Sequence, residues 1–394
     1  MKDVSFATKG NSSLIFVAAD PDSDRYSYKV SFGQYVEGQT YHGLDKFNLT
    51  NQFSDATYMK DHLSYELFRK MGVPAPLSSF VWLRVNGEDR GLYLAVEDTS
   101  DSFLKRNFGG EGVIYKPESD DVAVHVEDVP NIIENGLNIG GEYHGAKLDY
   151  ISDRPEDYPD IFDHAETEQE EEDKLAVIKA LKHLSERSKL DTYLDTEEIA
   201  RFFAVHNFTL NLDSYTGIML HNMVLYENKG RLEMLPWDYN LAYMTFILGS
   251  GQEVLEDPTN FVNQGIDTPL VDTRPEDRPM WAWIVEDEKY LKAYHDTFDR
   301  MLTEYFESGS FDREYDETIR MILPYVEKDP TAFFTPVEFK SGSAVLKRFC
   351  ALRAESIRKQ LDGALSTDST KQAAEDKVEA SDLNVTEMGA TVLG

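Results

Sequence analysis

Phe80-Val81-Trp82-Leu83-Arg84-Val85 and Gly91-Leu92-Tyr93-Leu94-Ala95-Val96 flank Asn86-Gly87-Glu88-Asp89-Arg90. Asn-Gly between two apolar runs predicts a β-hairpin, because both residues accept the positive φ that a tight two-residue turn demands. Upstream, Met59, Leu63, Leu67 and Met71 fall four apart behind Asp55, and Gly72-Val73-Pro74 supplies a stop. A helix is therefore expected over 56–70, with Asp55 as its N-cap. Downstream, Gly112-Val113-Ile114-Tyr115-Lys116 reads as a short strand ended by Pro117. Before the helix, Tyr26, Tyr28, Val30 and Phe32 alternate at period two among Gly10, Gly33, Gly38 and Gly43, so the opening is expected to be β-rich. Sheet, helix and further sheet predict an α+β lobe.

Between Glu156 and Asp173, ten of eighteen residues are acidic, which makes this run a solvated loop leading into a helix and the natural lobe boundary. Leu175, Ile178, Leu181 and Leu184 then mark one helix, and Ile199, Phe202, Phe203 and His206 a second, capped at Asp195-Thr196. A second hairpin is expected over 218–237, turning at Asn228-Lys229-Gly230, followed by a long ordered loop over 248–280. Three long helices follow at about 287–306, 312–326 and 336–361; the last opens with Thr335-Pro336-Val337-Glu338, a capping box with Pro at the first helical position. Beyond Gly363 aromatics vanish, and residues 364–394 are expected to be a disordered tail.

The chain has 394 residues, 39 Lys+Arg against 72 Asp+Glu and a formal charge of −33. Such a surface repels phosphate backbones and anionic lipid, so neither nucleic-acid nor membrane-surface binding is expected, and an anionic ligand needs a local basic pocket or its own cations. The only cysteine is Cys350, which excludes an intramolecular disulfide and a cysteine-based zinc cage. No apolar run is long enough to span a bilayer, and the residues after Met1 lack the apolar segment of a signal peptide.

The chemistry concentrates in Asn211-Leu212-Asp213-Ser214-Tyr215, Leu220-His221-Asn222 and Leu235-Pro236-Trp237-Asp238-Tyr239-Asn240. Asp213 follows a helix and Asp238 ends a strand, so both can converge at a sheet rim. Two carboxylates plus a carboxamide are hard oxygen ligands, suited to Mg²⁺ held jointly with substrate phosphates. The blander alternatives are a turn or cap role for Asp238, backbone satisfaction for Asn222 and simple packing for His221. Walker, Rossmann, Gly-x-Ser-x-Gly and His-Glu-x-x-His patterns are absent, as are the His-Arg-Asp and Asp-Phe-Gly signatures of ordinary protein kinases. Thr8-Lys9-Gly10-Asn11-Ser12-Ser13-Leu14 offers a weak phosphate-cradling turn.

That turn, Arg25-Tyr26-Ser27-Tyr28-Lys29, Gly43-Leu44-Asp45-Lys46, Asp55-Ala56-Thr57-Tyr58-Met59-Lys60, Val85-Asn86-Gly87-Glu88, Gly91–Glu97 and Tyr115-Lys116-Pro117 resemble, in order, the N-terminal half of the CotH family of bacterial spore-coat kinases. The Asp213, His221-Asn222 and Pro-Trp-Asp238 segments resemble its catalytic half, and the likeness covers roughly residues 4 to 363. The resemblance implies an atypical protein-kinase-like two-lobe fold, with a β-rich nucleotide-binding N-terminal lobe over 1–155, an acidic linker over 156–173 and a mainly helical catalytic lobe over 174–363. It implies transfer of phosphate from ATP, with Mg²⁺ or Mn²⁺, to serine or threonine of coat or surface proteins, at the spore coat or cell surface. Carried over, Asp238 is the metal-binding aspartate, Asp213 the catalytic one and Asn222 a second metal ligand. Lys29, Lys116 and Arg25 are candidate phosphate contacts, with Glu97 positioning a lysine. Ala7 stands where many relatives have an arginine before the Thr-Lys-Gly-Asn turn. The competing reading is a structural or adhesive surface protein that keeps a kinase-like shell without turnover.

Overall fold

A computed structural model describes residues 1, 3–10, 12–118, 146–246 and 258–389. Within it the chain is α+β, with a five-stranded antiparallel sheet, a smaller three-stranded sheet and a mainly helical remainder.

The large sheet is built from β1 (Ser5–Lys9), β2 (Ser27–Ser31), β3 (Lys46–Thr50), β4 (Ser78–Val85) and β5 (Glu88–Glu97) in the order β1-β2-β3-β5-β4. The expected hairpin joins β4 to β5, and Asn86 and Gly87 take φ of 54° and 88°, the two positive angles that its turn requires. The opening is less uniformly β than its alternation suggests: helix α1 (Ser12–Ala19) separates β1 from β2. Helix α2 spans Lys60–Lys70 and starts four residues later than expected. Asp55 is not its cap: one carboxylate oxygen accepts from the Thr57 amide and hydroxyl and the other from the Lys60 amide, closing a turn in which Tyr58 sits at φ 60°. A helix cannot pass through that angle.

Helix α3 (Asp101–Phe108) leads to β6 (Val113–Tyr115). The acidic run is not a lobe boundary. Ile161 and Phe162 within it are buried, and its end becomes the first turn of α4 (Glu171–Ser185), where Glu170 and Asp173 form a reciprocal capping box. Carboxylates there face the positive end of the helix, which disposes of their mutual repulsion. Moreover β6, before the run, pairs with β7 (Met223–Asn228), after it, and β7 pairs with β8 (Arg231–Pro236). One apolar core runs on from Tyr58 to Met388 across this boundary. The change from one sheet to the other falls at residues 98–112, well before residue 155.

Helix α5 (Thr196–Thr209) is capped by Asp195, whose carboxylate accepts from the Glu198 amide. Residues 248–257 of the expected long loop lie outside the described residues; its end is already helical, as α6 (Pro279–Glu286). Helices α7 (Glu288–Met301), α8 (Ser310–Val326) and α9 (Pro336–Leu361) follow, the last with the expected Thr335/Glu338 capping box. The expectation of a disordered tail fails for residues 364–389: Leu365, Val378, Ala380, Leu383, Val385 and Met388 are all buried. These apolar side chains are too widely spaced to show a period; the turn Val385–Met388 packs on α9, and Val378 and Ala380 bond to Asn263 and Thr259.

Candidate active site

The two sheets line a cavity of about 390 Å³. On the small-sheet side, strand register assembles the site. Met223 opens β7 and Pro236 closes β8, and the two are partners, so Asn222 and Trp237-Asp238 emerge side by side at one edge. Tyr115 of β6 lies opposite Leu225, which brings Lys116 out at that same edge. Asp213 arrives from α5, which stops when Leu210 turns left-handed at φ 48°. All four line the cavity.

Within this group the two aspartates are held differently. Asp213 Oδ1 lies 3.0 Å from His221 Nε2, and its Oδ2 accepts from the Asn222 amide at 2.8 Å. The same amide nitrogen also donates to the Asp213 carbonyl. The Asp238 carboxylate has no hydrogen-bond or ion-pair partner among the described residues; only its backbone is held, the amide by Tyr65 Oη at 3.0 Å and the carbonyl by the Asn211 side-chain amide at 3.2 Å. Asn222 and Asp238 sit at φ 53° and 54°, and Gln52 and Ser54 across the cavity at 62° and 60°. Non-glycine residues in that region carry strain of about 1 kcal/mol or more each, and persist only where the surroundings over-determine them.

Buried side chains pin the loops. His206, fully buried and held neutral as burial drives its pKa down to about 3, bridges Tyr239 Oη at 2.8 Å and Thr216 Oγ1 at 2.9 Å. It therefore ties the Asp213 loop to the Asp238 loop. Arg278 donates to the Tyr215 carbonyl at 2.6 Å and also to that of Gly217. Gly217 itself approaches the Leu212 carbonyl so closely that a Cβ would sit 1.9 Å from the oxygen. The turn carrying Asp213 thus tolerates only glycine there.

The electrostatics show a surplus of carboxylate. Burial, reinforced by Asp238, pushes Asp61 up to about 7, and its Oδ1 accepts from the Tyr239 amide at 2.7 Å. Burial also raises Asp213, against the lowering effect of His221. Burial opposes charge on His221, but Asp213 facing it outweighs that and raises its pKa. Lys9 responds in the other direction: burial lowers its pKa, and Asp238 offsets only part of the effect. Lys9 and Lys116 each place their ammonium 5.5 Å from the centre of the Trp237 ring.

On the large-sheet side Lys29 faces the cavity and pairs with Asp98 at 3.1 Å, while Asn48 donates to the same Asp98 oxygen at 2.9 Å. Sheet register explains the set, because Lys29 lies opposite Asn48 and Asn48 opposite Val96, all on one face.

Asp213, Asn222, Asp238, Lys29 and Lys116 are therefore brought together, and Glu97 and Arg25 are not. Glu97 lies one residue from Val96 and so points to the other face. There it accepts from the Leu77 amide at 3.0 Å and pairs with Arg106. Asp98 takes the lysine-pairing position that Glu97 was expected to hold. Arg25 is buried outside the cavity, donating to the Asn51 carbonyl at 2.8 Å, to both Asp329 oxygens at 3.0 Å and to Thr331 Oγ1 at 2.8 Å. Sequence reading missed Lys9 as a cavity cation, although it stands in the Thr-Lys-Gly-Asn turn, and missed Asp61, Asp98, His206 and Arg278. Only Lys9 carried a sequence signal, its place beside a glycine at a strand end.

A divalent ion fits this donor set. Among the described residues Asp238 offers an unpartnered carboxylate and Asn222 a carboxamide oxygen without a donor, and the carboxyl groups of Asp61 and Asp98 line the same cavity. Among the described residues no group of three or more His, Cys, Asp or Glu forms a metal cage. Mg²⁺ does not need one, because it keeps waters and binds through one or two carboxylates together with phosphate oxygens.

The chain is 22% identical over 315 residues to inner spore coat protein H of Bacillus subtilis (strain 168), covering 78% of this chain and 75% of that protein. It is 28% identical over 104 residues to an inner spore coat protein H-like protein of the same organism, covering 26% of this chain and 32% of that one. The family model described as CotH kinase protein matches residues 6–357, which include every cavity residue named above, and the chain belongs to that family.

Proposed function

We propose that the cavity binds ATP with a divalent cation and that the protein transfers the γ-phosphate to serine or threonine hydroxyls of other proteins, as an atypical kinase with two lobes meeting at the cavity. The observation that carries this reading is the division of labour between the two aspartates. Among the described residues Asp213 is hydrogen-bonded on both oxygens and the Asp238 carboxylate on neither. Lys29, Lys9 and Lys116 supply the positive charge that a triphosphate needs inside a chain of formal charge −33. A Mg²⁺ or Mn²⁺ ion held by Asp238 and Asn222 would neutralise further phosphate charge. Asp213, fixed by His221 and Asn222, orients the acceptor hydroxyl: its oxygen bonds to the γ-phosphorus as the bond to the bridging oxygen of ADP breaks, and its proton passes to the carboxylate. Positioning and electrostatics account for most of such a transfer, which is why the loops are braced so heavily.

The relatives' names support the spore coat as the setting, where coat proteins would be the substrates at hand. They also support a purely structural part in the coat. Against that part stand the unpartnered Asp238 and the strained residues around it, which a non-catalytic shell has no reason to keep. The test is transfer of labelled phosphate from ATP to a serine-containing coat protein or to the chain itself. Asp213→Asn and Asp238→Asn should each lower the rate at least about 10³-fold with the fold retained. Undiminished transfer in Asp238→Asn sinks the assignment.

A further inference from the structure

The family match ends at residue 357, yet the chain continues in an ordered segment to Gly389. This segment is tied down along its length. The Val378 amide and carbonyl both bond to the buried Asn263 side chain, and the Ala380 amide donates to Thr259. Its end, the 3₁₀ turn Val385–Met388, lies across α9. A Cβ on Gly342 of α9 would stand 2.3 Å from the Glu387 carbonyl, so that helix has no side chain where the segment crosses.

Beyond the crossing, the segment reaches the wall of the cavity. The Ala56 amide donates to the Met388 carbonyl at 3.2 Å, and Gly389 packs so closely that a Cβ would be 2.4 Å from the Ser54 carbonyl. Asn51, Gln52, Phe53 and Ser54 line the cavity directly. In this stretch Gln52, Ser54 and Tyr58 all hold positive φ. Three such residues in seven form a wall that does not keep its shape unaided. From inside it is held by Lys60, buried, donating to the Ser54 carbonyl and to Thr245. From outside it is held by the segment.

We infer that the C-terminal segment, through Met388 and Gly389, is an intramolecular brace that fixes the stretch 52–58, of which residues 52–54 line the cavity, and thereby tunes the cavity's affinity for ligand. The inference about affinity rests on the nucleotide reading above; the inference about the wall does not.

Gly342→Ala tests both in the full chain. Alanine suits a helix interior better than glycine, so α9 should persist while its new methyl group displaces the turn at 385–388. Amide hydrogen exchange should speed up at least about tenfold at residues 54–60 and stay unchanged at 213–240. Affinity for ATP with Mg²⁺ should weaken about tenfold, which is about 1.4 kcal/mol. A chain ending at Gly363 should show the same exchange pattern if it folds. Unchanged exchange at 54–60 while residues 383–389 lose protection would overturn the brace. Faster exchange at 54–60 with nucleotide affinity unaltered would overturn its link to the site. Should the unsubstituted chain bind no nucleotide, the kinase reading fails and the exchange result alone decides the brace.

Discussion

Two buried ionic centres in this molecule contrast sharply in how completely their charges are matched. At the first, Arg25 and Asp329 are both fully shielded from solvent. Arg25 meets a carboxylate, a hydroxyl and several carbonyls, and Asp329 also accepts from the Leu92 amide at 2.8 Å. Gly91 lets them meet, since a Cβ there would lie 1.9 Å from an Asp329 oxygen. At the second, the Asp238 carboxylate has no partner among the described residues, Asp61 is pushed up to about 7, and Lys9 is lowered by burial. The first centre is closed: every guanidinium nitrogen of Arg25 and both carboxylate oxygens of Asp329 have partners. The second is open, and its unmet valences face a cavity. Burial of charge is common to both; incompleteness beside a void is what marks a site.

The contrast can be tested from its strong end downward. Removing one member of the closed pair should leave an uncompensated buried charge, so Asp329→Ala should cost about 3–5 kcal/mol of stability in urea unfolding. A loss below about 1 kcal/mol would mean that the clasp is not the closed centre described. Lys29 is intermediate, half exposed and paired with Asp98. Lys29→Met should lower kcat/KM for ATP about tenfold, because Lys9 and Lys116 remain, with a change in melting temperature too small to account for it.

A half-buried acid elsewhere separates incompleteness from function. Glu233 lies on β8 outside the cavity, and burial, reinforced by Asp195 and opposed by Arg231 and Arg201, raises its pKa to about 7. As pH rises from 4.5 to 7 the unfolded chain loses this proton while the folded chain keeps it, so the group's contribution to stability falls over that window and is level above it. Glu233→Gln should therefore gain about 1 kcal/mol relative to the parent between pH 4.5 and 7, after discounting for screening, with transfer activity unchanged. A stability difference that does not vary with pH would remove Glu233 as the titrating group.

Features set by neighbours in sequence were legible before the fold. The Asn86-Gly87 turn, the Asp195 cap and the Thr335/Glu338 box all depend on contacts within a few residues. Asp213, Asn222 and Asp238 were legible first as hard oxygen donors at the ends of expected elements and then through family likeness, and Lys29 and Lys116 came with that likeness. What escaped depends on long-range contact. Arg25 meets a partner 304 residues away, and no local pattern distinguishes it from a phosphate-binding arginine. The order of residues 364–389 comes from α9 and from Asn263, far from the segment's own polar composition. Glu97 and Asp98 differ by one step of strand parity, which the sequence showed only once β5 had been phased against β3.

The central claim, that Asp238 is left without a partner in order to hold a cation with a nucleotide, is most directly tested by calorimetric titration of ATP into the protein and into Asp238→Asn, each with and without Mg²⁺. The account predicts one site in the parent that appears only with the metal and weakens at least about tenfold in the variant. Equal affinity in both proteins, or binding indifferent to Mg²⁺, would contradict it.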